Sequence, residues 1–227
     1  MTGAVNVQRS MTEVQQAVEA IVARARDLHS GIPETVIVIG ASGATRHGQK
    51  HGHFAPKSWK IRGDKSKELY GEIFLSGESL ERGAAETLGT ILHELVHAHC
   101  HANEIKDTSN GDRYHNTKFK EKAEEYGLEI EKADTFGWSI TTVPKGTQEE
   151  YAKELETLEA SIRTHRLSFG DLAALGLDPE KPKQLKRKMQ CPTCQEPLLV
   201  TKKWFELVGH TLYCTEHDMN YEMYEER

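Results

Sequence analysis

The sequence lacks a long apolar run and an excess of positive charge. No stretch of its 227 residues approaches the roughly 20 apolar residues of a membrane-spanning helix, and the N-terminus has no charged-then-apolar leader. The 29 lysines and arginines are outnumbered by 35 acidic residues, so the formal net charge is −6. We therefore expect a soluble, cytoplasmic protein. The chain as a whole also lacks the net positive charge that is expected of a tight nucleic-acid binder.

Cysteine is scarce, and three of the 4 cysteines fall in two short motifs near the C-terminus. Cys191-Pro192-Thr193-Cys194 and Cys214-Thr215-Glu216-His217 are ligand pairs with the same spacing. Two such pairs predict a closed tetrahedral zinc site in a small zinc ribbon, with His210 as the alternative to His217. A disulfide is the weaker interpretation, because no leader directs the chain to an oxidising compartment. Cys100 is left over, and we expect it to be a buried thiol.

The segment His93-Glu94-Leu95-Val96-His97 has the spacing of a catalytic zinc motif. Histidines four residues apart lie on one face of a helix, where both imidazoles can reach one ion. Glu94 is then placed to accept a proton from the attacking water. Apolar residues at helical spacing predict a second, buried face of the same helix: Leu88, Ile91, Leu92 and Leu95. The sequence thus predicts His93 and His97 as zinc ligands and Glu94 as the general base.

The third protein ligand must come from another part of the chain. The longer metzincin pattern requires glycine at position 99 and histidine at position 103, where this chain has His99 and Asn103. His101 would lie about 12 Å along the helix axis from His93, too far for the two to share one ion. His115 is the first histidine after the next polar turn. Carboxylates of the segment that follows compete with it for this role: Glu121, Glu124 and Glu125.

These motifs resemble the SprT-like metalloprotease domain over about residues 10–143. The similarity lies in the strand Glu72-Ile73-Phe74-Leu75, the HExxH helix and His115-Asn116-Thr117-Lys118-Phe119, although Asn116 stands where the family usually has glycine. The resemblance implies an α+β, zincin-like fold, in which a small mixed sheet lies beside the active-site helix, and it implies His115 as the third ligand. It also implies a C-terminal zinc ribbon and a DNA-associated protease that degrades proteins crosslinked to DNA.

The expected organisation has three parts. Residues 1–145 form the zincin domain, residues 146–188 a helical connector and basic linker, and residues 189–227 the ribbon. The charged helix predicted at residues 147–165 either packs on the zincin domain or acts as a connector. Ser10-Met11-Thr12-Glu13 has the pattern of a capping box at the start of the first helix, and residues 207–208 are a candidate ribbon strand. Three histidines of a predicted loop or hairpin are expected to be solvated, with contact to metal or substrate as the alternative: His47, His51 and His53.

Two basic clusters are candidate contacts to nucleic acid. Their residues are Lys186, Arg187, Lys188, Lys202, Lys203 and Trp204. In this hypothesis the cations bind phosphates and the indole stacks on an unpaired base of single-stranded or structured DNA. The alternative interpretation is a solvated linker followed by a tryptophan in the core of the ribbon.

The predicted function is that of a zinc metalloendopeptidase with one catalytic and one structural zinc. Its expected substrates are DNA-bound or DNA-crosslinked proteins. The alternatives are a catalytically silent DNA-binding adaptor and a general intracellular metallopeptidase whose ribbon is structural. Tyr114 and Tyr126 are candidates for stabilising the oxyanion, although either can also be an ordinary packing residue.

Overall fold

The computed structural model describes residues 7–42, 44–45, 48–111, 113–177, 186–208 and 211–223. These residues divide into two compact units, one within Met1–Gly170 and the other within Asp171–Arg227. Helices and small sheets are mixed along the chain, which confirms the predicted α+β class. Among the described residues, no helix combines the length and the apolar character that a membrane crossing requires.

The described part of the first unit combines helices with three small sheets. Its described helices are α1 (Val7–Leu28), a 3-10 helix (Gly77–Arg82), α2 (Ala84–Ala102), α3 (Thr117–Glu125), α4 (Lys145–Glu150) and α5 (Ala152–Ser161). A further short helix, α6 (Phe169–Ala174), crosses the division between the two units.

Nine described strands belong to the first unit. They are β1 (Thr35–Gly40), β2 (Ala44–Thr45), β3 (Gly48–Gln49), β4 (Gly52–Trp59), β5 (Tyr70–Ser76), β6 (Thr108–Ser109), β7 (Tyr114–His115), β8 (Glu129–Ala133) and β9 (Gly137–Thr142). One sheet has the order β1-β5-β4, in which β1 and β5 are parallel and β4 is antiparallel to β5. A second sheet has the order β6-β7-β9-β8, and β2 pairs with β3 in a small ladder.

Helix α1 buries a stripe of apolar side chains at helical spacing. Val14, Val18 and Ile21 are fully buried in the core of the first unit. The predicted capping box at Ser10 is wrong, because α1 is already helical from Val7 and Ser10 lies inside it. The Ser10 hydroxyl is instead 3.0 Å from the hydroxyl of Thr164, so its partner is distant in sequence.

Helix α2 has the two faces that its sequence predicts. Leu88, Ile91, Leu92 and Leu95 are all fully buried. Burial of each such side chain contributes about 2 kcal/mol to stability, which fixes the rotation of the helix about its axis. The side chains of His93 and His97 are therefore held on a different face of the helix, whose rotation about its axis is fixed by this packing.

Gly52 permits the close approach of α2 to strand β4. A Cβ atom at this position would lie 2.7 Å from the Thr90 Cγ2 atom and 3.0 Å from the carbonyl oxygen of Phe74. Any larger residue would push the strand away from the helix face that carries Glu94. The glycine thus determines how near β4 comes to the predicted catalytic residues.

Residues 146–170 pack with the first unit and do not form a free connector. Tyr151 and Leu158 are fully buried in the same core as α1 and α2. Glu159 of α5 accepts a hydrogen bond from the backbone N–H of Ala84 at 2.9 Å, which satisfies a donor at the start of α2. Helix α5 therefore supports the N-terminal end of the helix that bears the metal motif.

The second unit is a set of short antiparallel ladders with one helix after β11. Its described elements are β10 (Lys186–Gln190), β11 (Pro197–Thr201), α7 (Lys202–Val208), β12 (Tyr213–Cys214), β13 (Met219–Asn220) and β14 (Glu222–Met223). The sheet has the order β11-β10-β14, and β12 pairs with β13. Residues 186–188, predicted as linker, are therefore part of a paired strand.

The predicted strand at residues 207–208 is wrong, because these residues belong to helix α7. The Thr201 hydroxyl accepts a hydrogen bond from the backbone N–H of Trp204 at 3.2 Å. A threonine that accepts this bond caps the N-terminus of a helix. Strand β11 therefore ends and helix α7 begins at this point.

Candidate metal centre and flanking clefts

Three histidine side chains converge at the end of α2. The Nε2 atom of His115 lies 3.2 Å from Nε2 of His93 and 3.1 Å from Nε2 of His97. Ligands on a tetrahedral zinc with Zn–N bonds of 2.0–2.1 Å are separated by about 3.3 Å. The three nitrogens therefore have the spacing of a zinc site, and the structure groups the residues that the sequence predicted.

The outer nitrogen of each imidazole has its own partner. Nδ1 of His97 lies 2.6 Å from Oδ2 of Asp107, Nδ1 of His115 lies 3.0 Å from the Phe136 carbonyl oxygen, and Nδ1 of His93 lies 2.9 Å from Oγ1 of Thr141. A carboxylate and a carbonyl only accept, so Nδ1 of His97 and His115 must carry the proton.

In the neutral imidazoles of His97 and His115, the lone pair is then on Nε2. Two such lone pairs 3.1 Å apart cannot form a hydrogen bond with each other, and they repel unless a cation lies between them. The residues present thus fit a metal ion, and the partners on Nδ1 hold the rings in the ligating orientation. The sequence did not predict these partners.

Pairing of β7 with β9 brings His115 to the helix. The backbone N–H of His115 donates to the Phe136 carbonyl oxygen at 2.9 Å, and His115 is paired with Gly137 in the parallel ladder. Gly137 has φ +69°, and a Cβ atom there would lie 2.2 Å from the carbonyl oxygen of His115. Only glycine fits where the two strands meet, so Gly137 is required for the strand pairing that positions His115.

Asn116 has a structural function of its own. Its side-chain oxygen accepts hydrogen bonds from the backbone N–H groups of Lys118 at 2.8 Å and Phe119 at 3.3 Å, which caps the N-terminus of α3. Asn116 therefore starts α3 directly after His115.

Phe119 packs against the whole histidine group. Its ring centroid is 4.6 Å from that of His93, 4.7 Å from that of His97 and 4.5 Å from that of His115, and the side chain is fully buried. Burial lowers the pKa of His93 well below its usual value and lowers the pKa of His115 to about 4. Both imidazoles are consequently neutral at pH 7, which is the protonation state that binds a metal.

Glu94 is buried beside the histidine group, with 6% of its surface exposed. Burial raises the pKa of its carboxyl group, and the largest opposing effects come from the nearby His97 and Lys50. A carboxylate with a raised pKa is a better proton acceptor near neutral pH than an ordinary glutamate. The environment thus suits Glu94 for the predicted role of general base.

Two clefts open onto the histidine group. Both are lined by Lys50, Gly52, His93, Glu94 and His115. The first is also lined by side chains that are mainly polar or cationic, among them Arg82, Thr90, Arg113, Ser139, Thr141 and Gln148. The second is also lined by residues that include Phe54, His97, His101, Ile105, Lys106 and Asp107. The histidine group is therefore accessible from both clefts.

The competing carboxylates are not near the centre. Among the described residues, the group that could hold an ion consists of the three histidines and contains none of Glu121, Glu124 and Glu125. Glu124 and Glu125 instead pair with Lys120 and Lys122 on their own helix. The structure therefore places His115, and none of these glutamates, with the two histidines of α2.

The tyrosine candidates for oxyanion stabilisation lie elsewhere. Neither Tyr114 nor Tyr126 lines either cleft. The Tyr126 hydroxyl is 3.1 Å from Nδ1 of His99, and its ring stacks on His29 with centroids 4.1 Å apart. Tyr126 is therefore a buried packing residue.

The loop histidines have different surroundings. His51 lines the first cleft, and its Nδ1 lies 2.6 Å from the Ser79 hydroxyl. His53 lines the second cleft and stacks on Phe74. Neither belongs to the metal group, and His47 lies outside the described residues.

A second metal-binding group lies in the C-terminal unit. Cys191, Cys194, Cys214 and His217 bring their ligand atoms within 4.8 Å of one another. The backbone N–H of Cys194 points at the Cys191 sulfur and lowers its pKa, which favours the thiolate form that binds zinc. The predicted set with His217 is confirmed as a candidate site, and His210 lies outside the described residues.

The structure describes part of the predicted nucleic-acid surface. Lys203 and Trp204 are exposed on α7, and 44% of the Trp204 surface is accessible, so this tryptophan is not a core residue. Lys188 lies in β10 and is half-buried. The side chains of three further predicted residues lie outside the described part of the chain: Lys186, Arg187 and Lys202.

Comparisons with protein-family models, with curated proteins and with solved structures give no match for this chain.

Proposed function

We propose that the first unit is a zinc-dependent metallopeptidase. The observation that carries the proposal is the convergence of three histidine Nε2 atoms, at least two of which face one another with lone pairs in the neutral rings, beside the buried carboxylate of Glu94. Among the described residues, no fourth protein ligand joins this group, so a tetrahedral ion held there would keep one position open. An open fourth position distinguishes catalytic from structural zinc sites.

His93, His97 and His115 would hold the ion, and zinc when bound lowers the pKa of water towards neutrality and polarises a carbonyl oxygen. Glu94 accepts a proton from the attacking water while the oxygen of that water bonds to the scissile carbonyl carbon. Glu94 then delivers that proton to the amide nitrogen as the C–N bond breaks. The second proton of the water stays on the new carboxyl group and then passes to the amine. The products are therefore a carboxylate and an ammonium group, and Glu94 returns to its starting state.

The clefts suit an extended peptide. Strand β4 is at the edge of the sheet order β1-β5-β4, and its residues Gly52 and Phe54 line the clefts. An extended substrate segment can add to such an edge through main-chain hydrogen bonds. Three cations of the first cleft, Lys50, Arg82 and Arg113, outnumber its exposed acid, Glu86, and would favour acidic side chains in that segment.

The finer proposal is a SprT-like protease that acts on DNA-bound or DNA-crosslinked proteins. Its support is the motif resemblance, together with the exposure of Lys203 and Trp204 on α7, where a cation and an indole are accessible to phosphate and base. A general metallopeptidase has no need of this exposed pair. A catalytically silent adaptor has no need of a buried Glu94.

The test compares Glu94→Gln with Glu86→Gln, a matched change in the first cleft. Purified full-length variants are assayed for casein cleavage, with and without single-stranded DNA, and for zinc content. We expect Glu94→Gln to keep its zinc and to lose cleavage by at least about 100-fold, because it removes the proton acceptor. Glu86→Gln should cleave like the wild type. Full activity of Glu94→Gln would contradict the mechanism, and cleavage indifferent to DNA would favour the general peptidase.

A further inference from the structure

The hairpin that joins β4 to β5 concentrates positive charge in an acidic chain. We define the β4–β5 hairpin as residues 57–69. Five of them are basic and two are acidic, which gives a local charge of +3 in a chain of net charge −6. The basic residues are Lys57, Lys60, Arg62, Lys65 and Lys67.

These five cations are exposed and available for a ligand. Among the described residues, none of the five lies within ion-pair distance of a carboxylate. The acid at the tip of the hairpin has a neutral partner. Asp64 accepts hydrogen bonds from the backbone N–H of Ser66 at 2.8 Å and from its hydroxyl at 2.6 Å. The positive charge is therefore not neutralised within the hairpin.

An aromatic ring lies among these cations. Trp59 is 42% exposed, and its indole N–H donates to Oε2 of Glu72 at 2.7 Å. Trp59 is also paired with Tyr70 in the antiparallel ladder. One edge of the indole is thus held by the sheet while much of its surface stays accessible. A ring held in this way loses little conformational entropy when a base stacks on it.

A bulge separates the hairpin from the part of β4 that lines the clefts. The register of β4 against β5 shifts between Ala55 and Trp59, and Lys57 has φ 56°. The Ser58 hydroxyl is 3.3 Å from the Ala55 carbonyl oxygen, which closes the bulge. Bulges increase strand twist and change the direction of side chains, so the hairpin need not continue the surface of the peptide cleft.

We propose that the β4–β5 hairpin binds single-stranded nucleic acid, with the cations on phosphates and Trp59 stacked on a base. An inserting membrane hairpin would carry apolar residues at its tip, but residues 62–68 are all glycine, polar or charged. The exposed apolar residues, Trp59, Ile61 and Leu69, lie instead at the base of the hairpin. An acidic protein would engage the cations but would not require the indole.

This surface extends the nucleic-acid part of the proposed function to the unit that carries the metal centre. Strand β4 runs from Gly52 in the clefts to Trp59, which is about 20 Å at the usual rise per residue of a strand. Nucleic acid held at the hairpin would therefore stay clear of Glu94. A protein attached to that nucleic acid could still reach the clefts.

The test is a fluorescence-anisotropy titration of full-length protein with a fluorescein-labelled oligothymidylate of about 20 nucleotides, at several salt concentrations. Binding is measured without reference to cleavage, so the result does not depend on peptidase activity. The hairpin variant is Lys60→Ala with Arg62→Ala and Lys65→Ala. Its matched control removes three exposed lysines of the same unit: Lys118→Ala, Lys145→Ala and Lys153→Ala.

We expect the hairpin variant to bind at least about tenfold more weakly and to reduce the slope of log K against log salt by about 2, since each phosphate contact contributes about 0.7. The control should bind within about twofold of wild type, since its lysines contact no phosphate in this proposal. Trp59→Ala should weaken binding by about tenfold or more, whereas Trp59→Phe should retain most of it. Unchanged zinc content and circular dichroism would show that the variants are folded.

Three results would overturn the proposal. Wild-type affinity of the hairpin variant, with binding lost in Lys203→Ala plus Trp204→Ala, would assign nucleic acid to the ribbon alone. Competition by polyglutamate as effective as that by unlabelled oligothymidylate, with no effect of Trp59→Ala, would indicate an acidic-protein surface. Failure of wild-type protein to bind the oligonucleotide would contradict both this site and the DNA-associated form of the proposed function.

Discussion

Asp107 contacts His97 of the proposed metal centre, so its removal should weaken metal binding in a graded way. Its Oδ2 atom lies 2.6 Å from Nδ1 of His97, and the two side chains are only 14% and 16% exposed. A hydrogen bond to a charged group contributes about 1.5–3 kcal/mol, and a neutral one about 0.5–1.5 kcal/mol. Asp107→Asn can keep a neutral bond through its amide oxygen. We therefore expect about a tenfold loss of zinc affinity for Asp107→Asn and up to about 100-fold for Asp107→Ala.

The measurement is a competition of each full-length variant against a zinc chelator at pH 7. Cobalt substitution separates the two sites, because thiolate ligands give a charge-transfer absorption that a three-histidine site lacks. Asp27→Asn, an exposed carboxylate on α1, is the control and should not change either site. Wild-type zinc affinity of the histidine centre in Asp107→Ala would refute the argument that Asp107 holds His97 in its ligating orientation.

Three further predictions concern packing and reactivity. Phe119→Ala should lower the free energy of unfolding by about 3–5 kcal/mol in a denaturant titration, because a fully buried ring is lost, while Phe119→Leu should cost less than half of that. Gly52→Ala should reduce kcat/KM for casein by about 100-fold through displacement of β4 from Glu94, and Gly146→Ala, where a Cβ meets nothing within 4 Å, should have no effect. In native protein stripped of metal, iodoacetamide at pH 8 should modify the exposed Cys194 and leave Cys100 intact, because burial raises the pKa of Cys100 to about 12. Equal labelling of both thiols would contradict the last of these.

Local sequence patterns predicted the parts of the site that depend on short-range geometry. The spacing of His93 and His97 determines their common helix face, and the apolar residues of α2 determine which face is buried. The same holds for the two ligand pairs of the C-terminal unit, where each pair is close in sequence. These predictions required no knowledge of the rest of the fold.

The residues that support the ligands could not be predicted, because pairing between distant segments places them. Asp107, Thr141 and the Phe136 carbonyl reach the imidazoles only through the turns and ladders of the β6-β7-β9-β8 sheet. Phe119 could have been suspected from its position four residues after His115, on the following helix. The structural importance of Gly137 could not have been predicted without knowing that its φ is positive.

Tertiary contacts also explain the errors. Ser10 was predicted to cap a helix but has a tertiary partner in Thr164, and the helix already includes the residues before it. Residues 207–208 are apolar enough for a strand, yet Thr201 starts a helix that includes them. For the helix predicted at residues 147–165, the sequence left open whether it packs on the first unit or acts as a connector, and the burial of Tyr151 and Leu158 decides for packing.

The most direct test of the central claim is the zinc stoichiometry of full-length wild type, His115→Ala and His101→Ala, determined by elemental analysis with casein cleavage measured in parallel. His101 lines the second cleft without joining the metal group, so it is the matched control. We predict two zinc ions per wild-type chain and per His101→Ala chain. His115→Ala should contain one zinc ion and no longer cleave casein. Two zinc ions and full cleavage in His115→Ala would contradict the assignment of the third ligand and, with it, the proposed metal centre.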